Sequence, residues 1–247
     1  MKRKILKIFC FALITASFRG YSKTCFYDPG SLKKSGDQFY QSKFKCSQWK
    51  VSKYWKDFGM EKSYWDDGMG YDDPCNVNKP LGRIMVSLEA IRIGKNSAFG
   101  PKNMLNFAYQ YQKGAIKHLR VECGDPDTNA YHSGAGVLHY LQGYHGNGNV
   151  YFNWTGVYGG KSVVRRSGII LHESRHRAKF HNTTKCPSGG SCDSHWSYNG
   201  ANTYQILWLW WFGRHGKNTT ESMKNDALRD ARWRHDNRFT TNPGKNI

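Results

Sequence analysis

Apolar and polar positions along the chain follow two different periods, which predicts a mixture of strands and helices. Short apolar runs bounded by Gly, Asn and Asp favour strands, whereas longer apolar faces favour helices. We expect strands at 117–123, 137–142 and 150–154, and a strand, or a strand running into a short helix, at 82–94. We expect helices at 105–116, 161–180, 201–212 and 220–235. The strongly apolar segment 201–212 is short for a membrane span and is expected to lie in the core.

The first 20 residues have the pattern of a secretory signal. A positive start, Met1 to Lys4, precedes an apolar run from Ile5 to Ser17, and small residues offer a cleavage site near the end of that run. An uncleaved anchor is the alternative, but the run is short for a bilayer span. No later segment is apolar enough to span a membrane, so we expect a secreted protein, extracellular or periplasmic.

Residues 21–80 differ from the rest of the chain because Tyr, Trp, Lys and Gly are mixed there without a clear period. We expect an irregular N-terminal region tied by disulfides, followed by one domain over residues 81–247. The total length of 247 residues suits one domain with a small additional lobe.

The cysteines support an oxidising compartment. Cys10 lies in the predicted signal, and the remaining six are an even number that suits three disulfides: Cys25, Cys46, Cys75, Cys123, Cys186 and Cys192. We favour a Cys186–Cys192 bond because the five residues between them form a flexible Pro- and Gly-containing turn. A thiolate metal site is the alternative, although the spacing differs from the usual zinc pairs.

The net charge of +19 predicts attraction to anionic partners. Nucleic acid, acidic glycans, acidic proteins and anionic envelope polymers all belong to this class. The basic residues form no dominant block, and no known nucleic-acid motif is present. One hypothesis is therefore a secreted, basic, disulfide-stabilised protein that binds nucleic acid or anionic envelope polymers, with at most a structural metal.

The second hypothesis comes from His172-Glu173-Ser174-Arg175-His176, which has the pattern H-E-x-x-H. Two histidines four residues apart on a helix lie on one face and can bind one metal ion. Glu173 can then take a proton from a water that the metal activates. The pattern indicates Zn²⁺ and a hydrolase. The alternative is an exposed helix face carrying two histidines and a Glu–Arg pair.

A third ligand is needed for a catalytic zinc site. His181 is the favoured candidate, but it can reach the metal only if the helix ends or unwinds near 178–180, where no Gly or Pro stands. Asp193 and His195 are the alternatives. His195, Tyr198 and Tyr204 are candidates for stabilising an oxyanion, and each is also a candidate for a purely structural role.

Residues 150–209 resemble zincin metallopeptidases of the metzincin kind, whose pattern is H-E-x-x-H-x-x-G-x-x-H, and secreted bacterial proteins with H-E-[AS]-R-H followed by Cys-Asp. The matching positions are His172, Glu173, His176, His181, Cys192, Asp193 and the segment 200–205. Here the third His is one residue closer and the Gly is missing. The resemblance implies an α+β, zincin-like fold with a small mixed or antiparallel sheet, Zn²⁺, and hydrolysis of peptide or amide bonds in protein or peptide substrates.

The order of the elements adds an expectation about substrate binding. The strand at 150–154 comes just before the helix that carries the motif, and many zinc peptidases place such a strand beside the cleft. A peptide substrate could then add to its free edge by backbone hydrogen bonds. Arg175 is a candidate to pair with Asp193 and so to orient the loop, and a plain surface ion pair is the alternative.

Overall fold

The computed structural model describes residues 35–65, 68–100, 103–122, 130–134, 146–153 and 161–244. Its helices are α1 (Ser35–Phe44), α2 (Gln48–Phe58), α3 (Pro80–Ile93), α4 (Met104–Ala115), α5 (Val163–Arg175), α6 (Ala201–His215) and α7 (Glu221–Asn237). Its strands are β1 (His118–Glu122), β2 (Ala130–Gly134) and β3 (Gly146–Asn153). The predicted signal, the predicted strand at 137–142, Cys25 and Cys123 lie outside the described residues.

The described chain is mixed α/β and mostly helical, and its sheet has three strands in the order β1-β3-β2. Strand β1 pairs with β3 in parallel, and β2 pairs with β3 in the antiparallel direction. The option of an antiparallel sheet is therefore wrong. The free-edge expectation is wrong as well, because hydrogen bonds to a neighbour on each side make β3 the central strand. Of the three described strands, β1 and β2 are the outer ones.

Helix α3 corrects the strand that the sequence predicted at 82–94. Pro80 stands in the first turn, where its missing N–H costs nothing. Every residue from Pro80 to Ile91 is buried. A helix that is buried on all sides shows no clear amphipathic period, so periodicity alone cannot distinguish its sequence from that of a buried strand.

The N-terminal region is not irregular throughout, because its described part contains the helices α1 and α2, whereas residues 59–79 are mostly turns and bends where they are described. Helix α2 buries Val51, Tyr54 and Phe58, which recur at helical spacing, and it begins at Ser47, whose hydroxyl accepts a hydrogen bond from the N–H of Lys50. This period is present in the sequence, but the charged residues between the buried positions hide it. The Cys46–Cys75 disulfide ties the region, with 5.6 Å between the Cα atoms.

Helix α5, which carries the motif, lies at the centre of the fold and packs against α1, α3, α4, α6 and α7. Its apolar face buries Val163, Val164, Ile170 and Leu171 in the main hydrophobic core. Packing on so many sides fixes both the axial position and the rotation of the helix. The polar residues near its C-terminal end are thereby held in a defined direction.

A buried charge cluster joins three of these helices. Asp37 of α1 accepts hydrogen bonds from Arg83 of α3, at 2.7 Å, and from Arg166 of α5, and all three side chains are fully buried. Arg83 also donates to the carbonyl of Val77, and Arg166 donates to the hydroxyl of Ser87. One carboxylate therefore compensates two guanidinium groups in the core.

The C-terminal helices agree with the sequence prediction. Helix α6 buries Trp208, Leu209 and Phe212 in the core, and α7 begins after Thr220, whose hydroxyl accepts from the N–H of Met223. Among the described residues, none of the helices combines the length and the apolar character that crossing a bilayer requires.

Candidate metal centre

The motif helix ends five residues earlier than predicted, at Arg175. The N–H of His176 donates to the carbonyl of Glu173 at 3.1 Å, and the N–H of Arg177 donates to that of Ser174 at 3.2 Å. These contacts join residues three apart, so the last turn is tighter than an α-helix. The chain therefore leaves the helix axis without a Gly or Pro.

This turn brings the three predicted ligands together. His172, His176 and His181 each offer a ring nitrogen within 4.8 Å of those of the other two. The Nε2 atoms of His172 and His181 are 3.2 Å apart. Ring centroids in the three pairs are 4.9, 5.0 and 4.7 Å apart. The group could hold a metal ion.

The second ring nitrogen of two of these histidines is hydrogen-bonded to the protein. His176 Nδ1 lies 2.9 Å from the carbonyl oxygen of Lys179, and His181 Nδ1 lies 2.9 Å from Asp193 Oδ1. Because both partners are acceptors, the neutral ring of each histidine carries its proton on Nδ1, which leaves its Nε2 unprotonated. Metal-binding histidines commonly donate to a carbonyl or carboxylate in this way.

Asp193 is not a member of the group of possible ligands, but it orients one of them, His181, by a hydrogen bond. Its second oxygen, Oδ2, accepts from the N–H of Asn202 at 3.0 Å, in the first turn of α6. A Cβ at Gly200 would lie 2.6 Å from that oxygen, so glycine lets the carboxylate approach the helix N-terminus. From the sequence, Asp193 was an alternative ligand, and its role in orienting His181 was missed. The one signal for that role is that Asp193 lies shortly before Gly200, the N-cap of α6.

His195, the other alternative, is exposed and lies outside the group. Its Nδ1 is 2.9 Å from the hydroxyl oxygen of Ser197. Among the residues that the structure describes, the group of possible ligands therefore contains the three histidines that the sequence favoured.

His181 and Asp193 lie on either side of a loop that a disulfide closes. The predicted Cys186–Cys192 bond is present, with 6.2 Å between the Cα atoms. Backbone hydrogen bonds pair Thr183 with Cys192, and Asp193 pairs with the segment that follows α7. The loop is thus tied to itself and to the C-terminal helix, which limits the movement of the third histidine.

Glu173 lies beside the three rings and is buried. Its Oε2 is 4.0 Å from His176 Nε2. Burial raises the pKa of Glu173 to about 8, and the positive charge of Arg234 opposes the shift. Burial, and then the neighbouring His176 and His181, lower the pKa of His172 well below its usual value, so this ring favours its neutral form.

Arg175 does not pair with Asp193, contrary to the expectation. Its guanidinium donates to the carbonyl of Asn199 at 3.0 and 2.8 Å and lies 4.2 Å from the ring centroid of Tyr204. The tight turn at the helix end directs Arg175 toward α6 and away from the histidine-bearing loop.

The oxyanion candidates are occupied in structural contacts. The Tyr198 hydroxyl donates to the carbonyl of Phe180 at 2.7 Å, and the Tyr204 ring packs against Tyr111 in a tilted arrangement with 5.2 Å between centroids. His195 contacts Ser197 and lies outside the group of possible ligands.

Comparison with protein-family models, with curated proteins and with solved structures finds no match.

Asp193→Asn is expected to weaken zinc binding about 10- to 100-fold, because the orienting partner of His181 loses its charge. Isothermal titration with zinc measures the change. Asp236→Asn is the matched control, since Asp236 Oδ1 lies 2.9 Å from the ring of His235, a histidine outside the group. Equal zinc affinity in the wild type and Asp193→Asn would show that Asp193 does not support the site.

Proposed function

We propose that the protein is a zinc-dependent hydrolase of peptide or amide bonds, acting on protein or peptide substrates. The observation that carries the proposal is the convergence of His172, His176 and His181 beside the buried carboxylate of Glu173. The two described disulfides agree with action outside the reducing cytosol. The resemblance to zincins supports the same reaction class.

The donor set suits zinc. Catalytic zinc sites commonly use three protein ligands and leave the fourth position open. Two nitrogens bound about 2.1 Å from one ion at the tetrahedral angle are about 3.4 Å apart, close to the 3.2 Å between the Nε2 atoms of His172 and His181. Imidazole nitrogens, with no thiolate and no cluster of carboxylates, favour zinc over calcium or magnesium.

Each residue then has a defined task. A zinc ion held by the three rings would supply Lewis-acid activation of a water molecule and of the scissile carbonyl. In its ionised form, which the positive charge of a bound zinc ion would favour against the effect of burial, Glu173 accepts the proton from the attacking water and delivers it to the leaving nitrogen. His176 and His181 are kept in the ligand-ready tautomer by the carbonyl of Lys179 and by Asp193. Burial of Glu173 excludes bulk water from the proton-transfer position.

Metal content tests the proposal first. The purified chain with its disulfides intact is expected to bind about one zinc per molecule by elemental analysis, as a single three-histidine site requires. His176→Ala is expected to lose that zinc, whereas His195→Ala, which removes an exposed histidine outside the group, retains it. The wild type is expected to cleave peptides of a test panel. A chelator should abolish this cleavage, and added zinc should restore it. Equal zinc in both variants would contradict the site.

The high positive charge favours a second candidate, a protein that binds nucleic acid or anionic envelope polymers. Such binding weakens steeply with salt because it releases counterions. Salt-sensitive binding to DNA by a chain that cleaves no amide bond and keeps its affinity in His176→Ala would favour this candidate over the hydrolase.

A further inference from the structure

Helix α7, which packs against the motif helix α5, carries four charged residues at regular spacing. Asp226, Asp230, Arg234 and Arg238 follow one another at intervals of four residues along α7 and its C-cap. Each step of four residues turns about 40° around the helix axis, so the four residues form a stripe that winds gradually along the helix. The acidic pair comes first and the two arginines come last, so the positive end of the stripe is at the C-terminal end of α7.

Contacts show that α7 runs beside α5 in the same direction. The hydroxyl of Ser162 donates to Asp226, and Arg165 Nε lies 3.7 Å from Asp230 Oδ1. At the other end, the carbonyl of Arg238 accepts from the N–H of Asp193, the residue that orients His181.

The register of the two helices places Arg238 near the catalytic end of α5. Eight residues separate Asp230 from Arg238, and eight separate Arg165 from Glu173. At about 1.5 Å per residue both segments rise about 12 Å. Arg238 therefore stands level with Glu173, with Arg234 one turn behind it.

The two arginines differ in their partners. Arg234 Nε donates to Asp230 Oδ2 at 3.0 Å. Arg238 forms no ion pair among the described residues; it donates to the carbonyl of Gly189 at 3.4 Å and lies over the ring of Trp233 at 5.4 Å. A guanidinium has five N–H donors, so these contacts leave most of the Arg238 donors available. Its half-buried position makes an ionic contact stronger than one on the open surface.

We propose that Arg234 and Arg238 bind a carboxylate of the substrate and so select acidic peptides for the three-histidine site. The planar guanidinium matches a carboxylate with two parallel hydrogen bonds, which positions the peptide as well as attracting it. The net charge of +19 attracts anionic substrates toward the protein as a whole. The two arginines then favour substrates that carry a carboxylate at one defined position over those that do not. This inference rests on the proposed hydrolase function.

Three short acetylated peptides test the selection: one with a central Glu and an amidated end, its Gln counterpart, and the Gln peptide with a free C-terminal carboxylate. Binding is measured by isothermal titration to zinc-supplied Glu173→Gln protein, in which cleavage is blocked. At least one carboxylate peptide is expected to bind about 10- to 100-fold tighter than the neutral peptide, as a charge-assisted contact predicts. Which of them does so identifies a side-chain or a terminal carboxylate as the group recognised.

Arg238→Gln in the same protein is expected to remove most of this preference, and Arg234→Gln is expected to reduce it. Arg229→Gln is the matched control, because it removes the same charge from α7 at an exposed position paired with Asp226. Thermal unfolding confirms that the variants are folded. No preference for either carboxylate peptide, or a preference that survives replacement of both arginines, would overturn the inference.

Cleavage by the wild-type chain separates this inference from the proposed function. If the wild type cleaves none of the three peptides but the preference depends on Arg238, the carboxylate site stands and the hydrolase proposal fails. If cleavage occurs at equal rates on all three and binding shows no preference, the hydrolase proposal stands and the carboxylate site fails.

Discussion

Glu173→Gln is expected to lower peptide hydrolysis by about 10²- to 10⁴-fold while zinc binding is retained, because the amide cannot accept the proton from the attacking water. The substitution keeps the size of the side chain and removes only its basicity. Since Glu173 is buried beside the three rings, solvent is a poor replacement for it as a base. Turnover of a fluorogenic peptide and zinc content are measured on the same preparation.

The matched control is Glu221→Gln in the first turn of α7, where the carboxylate is 80% exposed and paired with Lys224. It is expected to leave hydrolysis unchanged. Loss of activity together with loss of zinc in Glu173→Gln would indicate a ligand or structural role, and activity equal to the wild type would remove Glu173 from the mechanism.

Asp37→Ala is expected to destabilise the fold by about 3–5 kcal/mol, because it leaves buried arginines without a counter-ion. Burial lowers the pKa of Arg83 to about 10 and that of Arg166 to about 9, so both remain charged at neutral pH. The two positive charges would then repel each other in the core with no carboxylate between them. The free energy of unfolding from urea denaturation measures the loss.

Asp72→Ala is the control for this prediction. Asp72 pairs with Lys62 at 2.9 Å, but both side chains are mostly exposed, and surface pairs of this kind contribute little. A small effect for Asp37→Ala, similar to that of Asp72→Ala, would show that water or a rearranged partner reaches the cluster. Asp37 lies on α1 and Arg166 lies on α5, the motif helix. A large loss of stability in Asp37→Ala would therefore also show that α1 stabilises the position of the motif helix through this ion pair.

Local patterns in the sequence were sufficient for several elements. Helices α4, α6 and α7 lie close to their predicted ranges, because each has an apolar face, a capping residue or both, whereas α5 begins close to its predicted start and ends five residues early. The Cys186–Cys192 bond is confirmed, since a loop with only five intervening residues limits the possible partners. Helix α3 and the central position of β3 were missed, because complete burial removes the period and because strand order depends on contacts distant in sequence.

The sequence by itself determined the donor types and the spacing of His172, Glu173 and His176, since four residues make one helical turn wherever the helix lies. Whether His181 joins them was decided only by the tertiary structure, in which a tightened turn, a disulfide-closed loop and the carboxylate of Asp193 bring the third ring back to the first two. The same holds for Arg238, whose distance from Glu173 depends on the register between two packed helices. Such positions depend on packing between segments, which no local pattern of residues encodes.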